Sequence, residues 1–322
     1  MKILIAYDGS DFADVAVHDL ERAGLPSNAD ALVISVAEPG FPASPSSRDE
    51  IIDGGFGRDA RTISDKLSER HSGALADAQA MAAKAAERIR SSFPNWHVQA
   101  EAQSGKASAQ LLARAGDWEP DLIVVGSHGR SAIRRLILGS VSHKIVTDAR
   151  CSVRIARGHT KKRDSPARIV VGVDGSPDSE EAVRAATERI WPPGSEVRIV
   201  AAFDTLTPTM AGSLIPPVVP WTEEQNQAVL ELVRRTVASF DEQLRKMRLS
   251  VSNIVKPGDA KRVLVHEAEV WKADCILVGA RGLSRFDRFL LGSVSAAVAS
   301  RAHCSVEVVR PNARPSAETS YE

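Results

Sequence analysis

The feature that constrains this chain most is an internal duplication. The segment IAYDGSDFADVAV, which starts at Ile5, returns as VGVDGSPDSEEAV at Val171, 166 residues later. A second segment, VGSHGRSAIRRLILGSVS at Val125, returns as VGARGLSRFDRFLLGSVS at Val278, 153 residues later. A period of this length is too long for a solenoid and is typical of a whole duplicated domain. Because the offset falls by 13, the first copy is longer between its two repeated segments.

The duplication predicts two domains, at residues 1–157 and 167–310. The segment between them, residues 158–166, reads GHTKKRDSP, which is polar and charged and ends in a proline, as a domain linker does. The tail at 311–322 has few apolar residues, and we predict that it is disordered. With 322 residues in total, each copy is long enough to bury its own hydrophobic core.

Within each copy, short apolar runs alternate with segments of helical periodicity. Strands joined by helices predict parallel pairing with right-handed crossovers, so each copy should be an α/β sheet covered by helices on both faces. The last strands of the copies, Ser152–Ala156 and Val306–Val309, would be exposed edges unless paired, so we expect them to meet between the copies. The predicted helices of the first copy after its second strand are Ala74–Ile89, Ala107–Ala115 and Ser140–Thr147.

Composition excludes several classes of protein. Lys and Arg total 41, as do Asp and Glu, so the net charge is zero, which argues against a nucleic-acid binder and a basic membrane-surface protein. No apolar run approaches the ~20 residues that span a bilayer. The N-terminus, MKILIAYDGS, is typical of a first strand rather than a signal peptide. Three scattered cysteines without a CxxC pair predict buried thiols and a cytoplasmic protein.

Two loops in each copy lie where an open sheet binds its ligands, beyond the carboxyl ends of the strands. The first is Asp8-Gly9-Ser10, which returns as Asp174-Gly175-Ser176. The simplest interpretation of this loop is a glycine turn followed by a capped helix.

The second loop, here called the glycine loop, runs from residue 126 to 140 and returns at 279 to 293. Its glycines would let backbone N–H groups approach an anion, and its last Gly-Ser pair opens a helix. If the glycines only made turns, their spacing could drift between copies. Instead the spacing is identical, although half of the intervening residues differ, so we predict phosphate binding. The chain has no GxxxxGK[ST] or GxGxxG motif and no GxSxG elbow, which argues against P-loop enzymes, nicotinamide dehydrogenases and serine hydrolases.

These motifs make the chain resemble the universal stress protein family in its tandem two-domain form. The resemblance lies in the G-x2-G-x9-G-[ST] pattern, the Asp-Gly-Ser after strand one and the strand–helix order, and it covers nearly residues 1–310. It implies a doubly wound, Rossmann-like parallel sheet of five strands in the order 3-2-1-4-5 in each half. It also implies binding of ATP, or of ADP or AMP, because members with this glycine pattern bind adenine nucleotides.

Carried over by position, the resemblance implies one nucleotide site in each half. Asp8 would face the ribose and phosphates, Ala6 would line the adenine pocket, and Val36 would offer its backbone to the adenine. The residues implied around the phosphates and ribose are Gly126, Gly129, Arg130, Gly139, Ser140 and Val141. The second-half matches are Gly172, Asp174, Ala202, Gly279, Gly282, Gly292, Ser293 and Val294. Since His128 becomes Arg281 and Arg130 becomes Leu283, the two sites are expected to differ in affinity.

The expected role is that of a stress-response regulator or sensor. Asp8 and Asp174 could ligate Mg²⁺ with the nucleotide completing the shell, but no catalytic base is recognisable, so any hydrolysis would be slow. The alternatives are a slow ATPase or nucleotide-dependent transferase, and an interaction module that binds no nucleotide. We expect the halves to form an intra-chain pseudo-dimer, with a further homodimer and an unidentified protein partner left open. The extra residues from Glu38 to about Gly73 are either a disordered insertion or a flap over the first site.

Overall fold

A single sheet of ten strands runs through the part of the chain that is described. The computed structural model describes residues 1–38, 60–129, 138–158, 165–203, 218–245, 249–282 and 291–311. The strand order is β3-β2-β1-β4-β5-β10-β9-β6-β7-β8. Each half therefore contributes five parallel strands in the order 3-2-1-4-5, which confirms the predicted fold class.

The elements of the two halves follow one another in the same order. The first half contains β1 (Lys2–Ala6), α1 (Asp11–Asp19), a 3₁₀ turn (Leu20–Arg22), β2 (Asp30–Ala37), α2 (Ala60–Ser92), β3 (His97–Ser104), α3 (Ala107–Trp118), β4 (Leu122–Gly126), α4 (Ser140–Asp148) and β5 (Ser152–Ala156). The second half contains β6 (Arg168–Val173), α5 (Pro177–Glu188), β7 (Glu196–Phe203), α6 (Val218–Arg245), β8 (Ser250–Pro257), α7 (Ala260–Val270), β9 (Cys275–Gly279), α8 (Ser293–Arg301) and β10 (Ser305–Val309).

The halves join where their last strands meet. β5 and β10 pair antiparallel, with Val306 opposite Ile155 and Val308 opposite Val153. We call this pair of strands the seam. It confirms the prediction that neither last strand remains an open edge, because each saturates the backbone groups of the other.

Strand register fixes the alignment of the two copies where sequence identity is absent. Val36 pairs with Gln103 on β3, and Ala202 pairs with Lys256 on β8. Ala202 follows Val36 by 166 residues, the offset of the first repeated segment, and Lys256 follows Gln103 by 153, the offset of the second. Ala202 is therefore the structural equivalent of Val36. The change of offset therefore falls between β2 and β3, where α2 has 33 residues and its counterpart α6 has 28.

The start of α2 differs from the prediction. The helix begins at Ala60, 14 residues before the predicted Ala74, so residues 60–73 are helical and not a disordered insertion. Gly73 stands immediately before the alanine-rich run and hid the polar turns that precede it, yet a Cβ there would meet nothing within 4 Å. A single exposed glycine costs a helix only about 1 kcal/mol, which a helix of this length tolerates. The rest of the proposed flap, residues 39–59, lies outside the described residues, as do most of the linker and the tail.

The hydrophobic core is continuous on one face of the sheet and divided on the other. Alternating residues of each strand, such as Leu4 between Ile3 and Ile5, point to opposite faces. On the face covered by α3, α4, α7 and α8, one cluster crosses the seam through Val153, Ile155 and their partners. On the other face, α1 and α2 bury one cluster and α5 and α6 bury another. No helix in the described ranges is long and apolar enough to cross a membrane.

Candidate functional site

The Asp-Gly-Ser loop of the first half holds a carboxylate at the carboxyl end of β1. Oδ1 of Asp8 accepts hydrogen bonds from the backbone N (3.0 Å) and Oγ (2.6 Å) of Ser10. Ser10 in turn caps α1, since its Oγ accepts from the backbone N of Ala13 at 3.2 Å. Gly9 makes the turn at a φ of +76°, a backbone conformation that favours glycine. The turn-and-cap interpretation is therefore correct for Ser10, and it leaves Oδ2 of Asp8 facing the glycine loop.

Gly126 serves the packing of the chain itself. A Cβ on Gly126 would lie 2.7 Å from the backbone oxygen of Phe12, so only glycine lets the end of β4 approach the first turn of α1 this closely. Its own carbonyl accepts a hydrogen bond from Ser142 Oγ at 2.6 Å, which ties α4 to the same strand end. The contacts of Gly126 thus explain this glycine without a ligand.

Gly129 lies against Asp8, which brings the two loops together. A Cβ on Gly129 would lie 2.9 Å from Oδ2 of Asp8. Farther along the loop, the backbone N of Gly139 donates to the carbonyl of Ser127 at 2.8 Å, which closes the described ends of the loop. Arg130 lies outside the described residues.

The helix that follows the glycine loop begins without a side-chain cap. Gly139 occupies the N-cap position of α4 and offers no side-chain cap, and among the described residues no other side chain bonds to the first turn there. By contrast, Ser10 caps α1, and Glu38 Oε1 accepts from the backbone N of Ala107 at the start of α3. The first amides and the positive dipole end of α4 therefore offer a place for an anion, next to the exposed hydroxyl residue Ser140.

Three apolar residues predicted around the nucleotide lie at one rim of the core. Ala6, Val36 and Val141 are half-buried and pack against the cluster that lies under α3 and α4. Ala6 ends β1 and pairs with Ile34, while Val36 lies near the end of β2. The carboxyl edge of the first half therefore combines a carboxylate, an uncapped helix start and a small apolar rim.

The second half reproduces the polar part of this arrangement. Oδ1 of Asp174 accepts from the backbone N of Ser176 at 2.9 Å, and a Cβ on Gly282 would lie 2.7 Å from Oδ2 of Asp174. Gly292 donates to the carbonyl of Ala280 at 2.8 Å and occupies the uncapped N-cap position of α8. The exposed Ser293 opens that helix, and Val294 borders the core as Val141 does.

The apolar rim differs between the halves. Gly172 stands where the first half has Ala6, and a Cβ on it would lie 2.9 Å from Leu264 and 3.0 Å from Val278. Ala202 replaces Val36 on the second strand and is likewise half-buried. Side chains of α7 and β9 therefore press closer to the strand at Gly172 than a larger residue there would allow.

The clearest difference between the sites is a contact that the sequence did not reveal. In the first half, the rings of Phe12 and His128 lie 4.9 Å apart between α1 and the glycine loop. At the equivalent positions, Arg281 makes two charged hydrogen bonds to Asp178, each at 2.9 Å, and its backbone N donates to the same carboxylate at 3.1 Å. Phe12 and Asp178 each follow the loop aspartate by four residues, which is the signal that could have identified them.

Tyr7 and two of the cysteines have structural roles. Burial and the hydrogen bond to Asp14 raise the pKa of Tyr7 to about 12, so Tyr7 stays protonated and anchors α1. Burial also raises the pKa of Cys275 and of Cys304 to about 12, so these two thiols are buried as predicted, whereas Cys151 is only half-buried. Within the described ranges, no three His, Cys, Asp or Glu side chains converge as a metal site. Each Asp-Gly-Ser loop places its aspartate, Asp8 or Asp174, beside a glycine of the adjacent glycine loop.

Comparison with known proteins finds the same family for both halves. The sequence model of the Universal stress protein family matches residues 1–157 and again residues 167–310. A universal stress protein of Mycolicibacterium smegmatis is 34% identical over 191 residues, which cover 59% of this chain and 62% of that protein. Universal stress protein Rv2005c of Mycobacterium tuberculosis is 33% identical over 194 residues, 60% of this chain and 62% of its own length. The matched regions thus span less than two thirds of these relatives.

A solved structure shows a similar fold over the full length. The crystal structure of a universal stress protein from Archaeoglobus fulgidus superposes with a TM-score of 0.58 at 17% identity. The superposition covers 97% of each chain.

Proposed function

The chain belongs to the universal stress protein family, and from that premise we propose that each half binds one adenine nucleotide at the carboxyl edge of its sheet. The observation that carries the proposal is the uncapped start of α4 and α8 beside the loop aspartate. Other helix starts at the same edges, α1 and α5, are capped by serines of their own loops. A helix start with unbonded amides is a ready anion site, and the glycine loop brings it next to a group that can accept a ribose hydroxyl.

Roles in the first site follow from these positions. The amides of Ser140 and Val141 would bind phosphate, with Gly129 and Gly139 leaving room for its oxygens. The carboxylate of Asp8 would accept a hydrogen bond from the ribose, while Ala6 and Val36 would contact the adenine. In the second site the corresponding residues are Gly172, Asp174, Ala202, Gly282, Gly292, Ser293 and Val294.

In their described residues, the two sites supply binding groups rather than a reaction centre. Phosphoryl transfer needs a positioned nucleophile and a cation clamp. Among the described residues, the loop aspartate of each site has one oxygen already bonded within its own loop, and Asp178 of the second site is paired with Arg281. A Mg²⁺ ion would therefore take its remaining ligands from the nucleotide and water. We infer a regulator or sensor of the stress response whose partner contacts depend on the bound nucleotide. ATP as the physiological ligand and a cytoplasmic location are parts of this proposal.

The first test is to identify what the purified chain carries. Denaturation followed by mass spectrometry should release an adenine nucleotide, and calorimetry on nucleotide-free protein should show heat with ATP, ADP or AMP. At about 100 times the dissociation constant, a ligand should stabilise the chain by roughly 2.7 kcal/mol. A well-folded chain that shows neither heat nor a thermal shift with these nucleotides, with and without Mg²⁺, would instead be an interaction module.

A double variant tests the site itself. In Gly129→Ala with Gly282→Ala, each new methyl group meets the tip of a loop aspartate, a flexible side chain that can move aside. We expect intact folding and at least a tenfold loss of nucleotide affinity, because the methyl groups fill the space beside the carboxylates. Gly116→Ala is the matched control, since a Cβ there meets nothing within 4 Å. Unchanged affinity in the double variant would contradict the proposed position of the nucleotide.

A further inference from the structure

The seam contains a buried pair of opposite charge at its centre. We call this pair axial, because a twofold axis relating the two halves would pass between its members. Arg154 on β5 lies directly opposite Glu307 on β10, and Nη1 of Arg154 is 3.2 Å from Oε2 of Glu307. Each of the two side chains is only 2% exposed. The two residues are also equivalents in the duplication, at the offset of 153. In an interface between identical halves, a residue at this place would face its own copy.

At the two ends of the seam, equivalent residues of the two halves make the same contacts. Ser152 Oγ accepts from the backbone N of Arg310 at 3.1 Å, and its equivalent Ser305 accepts from that of Arg157 at 3.0 Å. Arg157 donates across the seam to the carbonyl of Ala302 at the end of α8. In the same way, Arg310 reaches across the seam to α4. These contacts would form equally well between two like halves.

At the centre of the seam, the two halves contribute different charged residues. A line of alternating charges runs Asp19, Arg154, Glu307 and Arg189 between the two apolar clusters on the α1 and α5 face. Asp19 pairs with Arg154 at 2.5 Å within the first half, and Arg189 pairs with Glu307 within the second. The equivalents of Asp19 and Arg189 in the opposite halves are Ala185 and Ala23. Each half therefore contributes one acidic and one basic residue, but the residue at the centre is basic in the first half and acidic in the second.

We propose that Arg154 and Glu307 are the specificity determinants of the seam, which admit a first half against a second half and reject two like halves. Pairing two first halves would bury two guanidinium groups face to face, and pairing two second halves would bury two carboxylates. Like charges directly opposite in a strand pair are destabilising, and burial removes the water that would screen them. The partner that this surface fits is therefore an unlike half, from the same chain or from a second copy of it.

Charge reversal in the intact chain tests this rule. Arg154→Glu places two acidic groups on the axis, Glu307→Arg places two basic groups there, and the double reversal restores unlike charges in the opposite order. We expect each single reversal to lower the midpoint of thermal unfolding by more than 5 °C, with the double reversal recovering at least half of the summed loss. The exposed ion pair of Arg235 and Glu231 on α6 is the matched control, whose reversal should change the midpoint by less than 1 °C.

The double reversal separates the proposal from a purely local role. If Arg154 acts only with Asp19, and Glu307 only with Arg189, the loss in the double reversal equals the sum of the single losses or exceeds it, which would overturn the proposal. Arg154→Met and Glu307→Met keep bulk without charge and give the same cycle should a reversal fail to fold. In that cycle the double variant should lose less than the sum, since no axial charge is left without its partner.

Discussion

Gly279→Ala should destabilise the chain although it adds a single methyl group. A Cβ at this position would lie 2.5 Å from both the carbonyl carbon and the oxygen of Asp178 in the first turn of α5. Carbon atoms in contact are ordinarily about 3.5–4.0 Å apart. The end of β9 and the start of α5 must therefore separate by about 1 Å. The two nearest atoms of Asp178 are backbone atoms and the third is its Cβ at 2.8 Å, so no side-chain rotation relieves the contact.

The magnitude follows from the cost of overpacking. Inserting a methyl group into a well-packed core costs about 1–3 kcal/mol. For a domain of this size, that corresponds to a fall of about 2–12 °C in the unfolding midpoint. The shift should exceed that of an ordinary surface substitution, because the same movement disturbs the bond of Arg281 to Asp178.

Thermal unfolding followed by circular dichroism measures the effect against two controls. Gly282→Ala adds its methyl group beside the tip of Asp174, an exposed side chain, so its midpoint should stay within about 1 °C of the wild type. Gly116→Ala lies in α3 with open space around it, and it should be neutral or stabilise the chain by up to about 1 kcal/mol. If Gly279→Ala has the same unfolding midpoint as the controls, the assignment of this glycine to chain packing is wrong.

Three further predictions concern the cap, the tyrosine and the thiols. Ser176→Ala removes the cap of α5 and the hydrogen bond to the carbonyl of Arg281, and it should cost about 1 kcal/mol in urea unfolding. Since the pKa of Tyr7 rises from 10.0 to about 12 on folding, the folded state holds its proton more tightly, so this contribution to stability is complete below pH 10 and is lost between about pH 10 and 12. Tyr7→Phe should lack that part of the alkaline loss when both proteins are titrated, and an identical loss would refute the assignment. Because burial raises the pKa of Cys275 and Cys304 to about 12, neither should react with a thiol reagent at pH 8 until the chain is unfolded.

The fold could be predicted because its signals are local and are present twice. Apolar runs such as Leu122–Val125 identify strands by themselves, and their repetition fixes the order of elements in both halves. The start of α2 was missed because Gly73 ends a strong local pattern while the helix continues through polar residues. That error concerns a boundary and leaves the arrangement of the sheet unaffected.

The candidate site was less predictable because the role of a glycine depends on its neighbours in space. Gly126 and Gly129 look alike in the sequence, yet the first accommodates the backbone of Phe12 and the second accommodates the carboxylate of Asp8. Likewise, the sequence marks Asp178 only by its place four residues after Asp174 and does not reveal its partner, because Arg281 is 103 residues away. Only the packing of β9 on α5 brings the two together.

The seam and the sites together determine what one molecule can contain. Under the proposed pairing rule, a first half meets only a second half, so every complete ten-stranded sheet holds one site flanked by Phe12 and His128 and one flanked by Asp178 and Arg281. The guanidinium of Arg281 is committed to Asp178 and must break or share that pair before it can meet a phosphate, whereas the His128 ring contacts the aromatic ring of Phe12. Nucleotide titration of the intact chain should therefore need two classes of site, and Asp178→Asn, which weakens the hold on Arg281, should raise the affinity of the second site while leaving the first unchanged. A titration that fits two identical sites in both proteins would show that these flanking pairs do not act on the ligand.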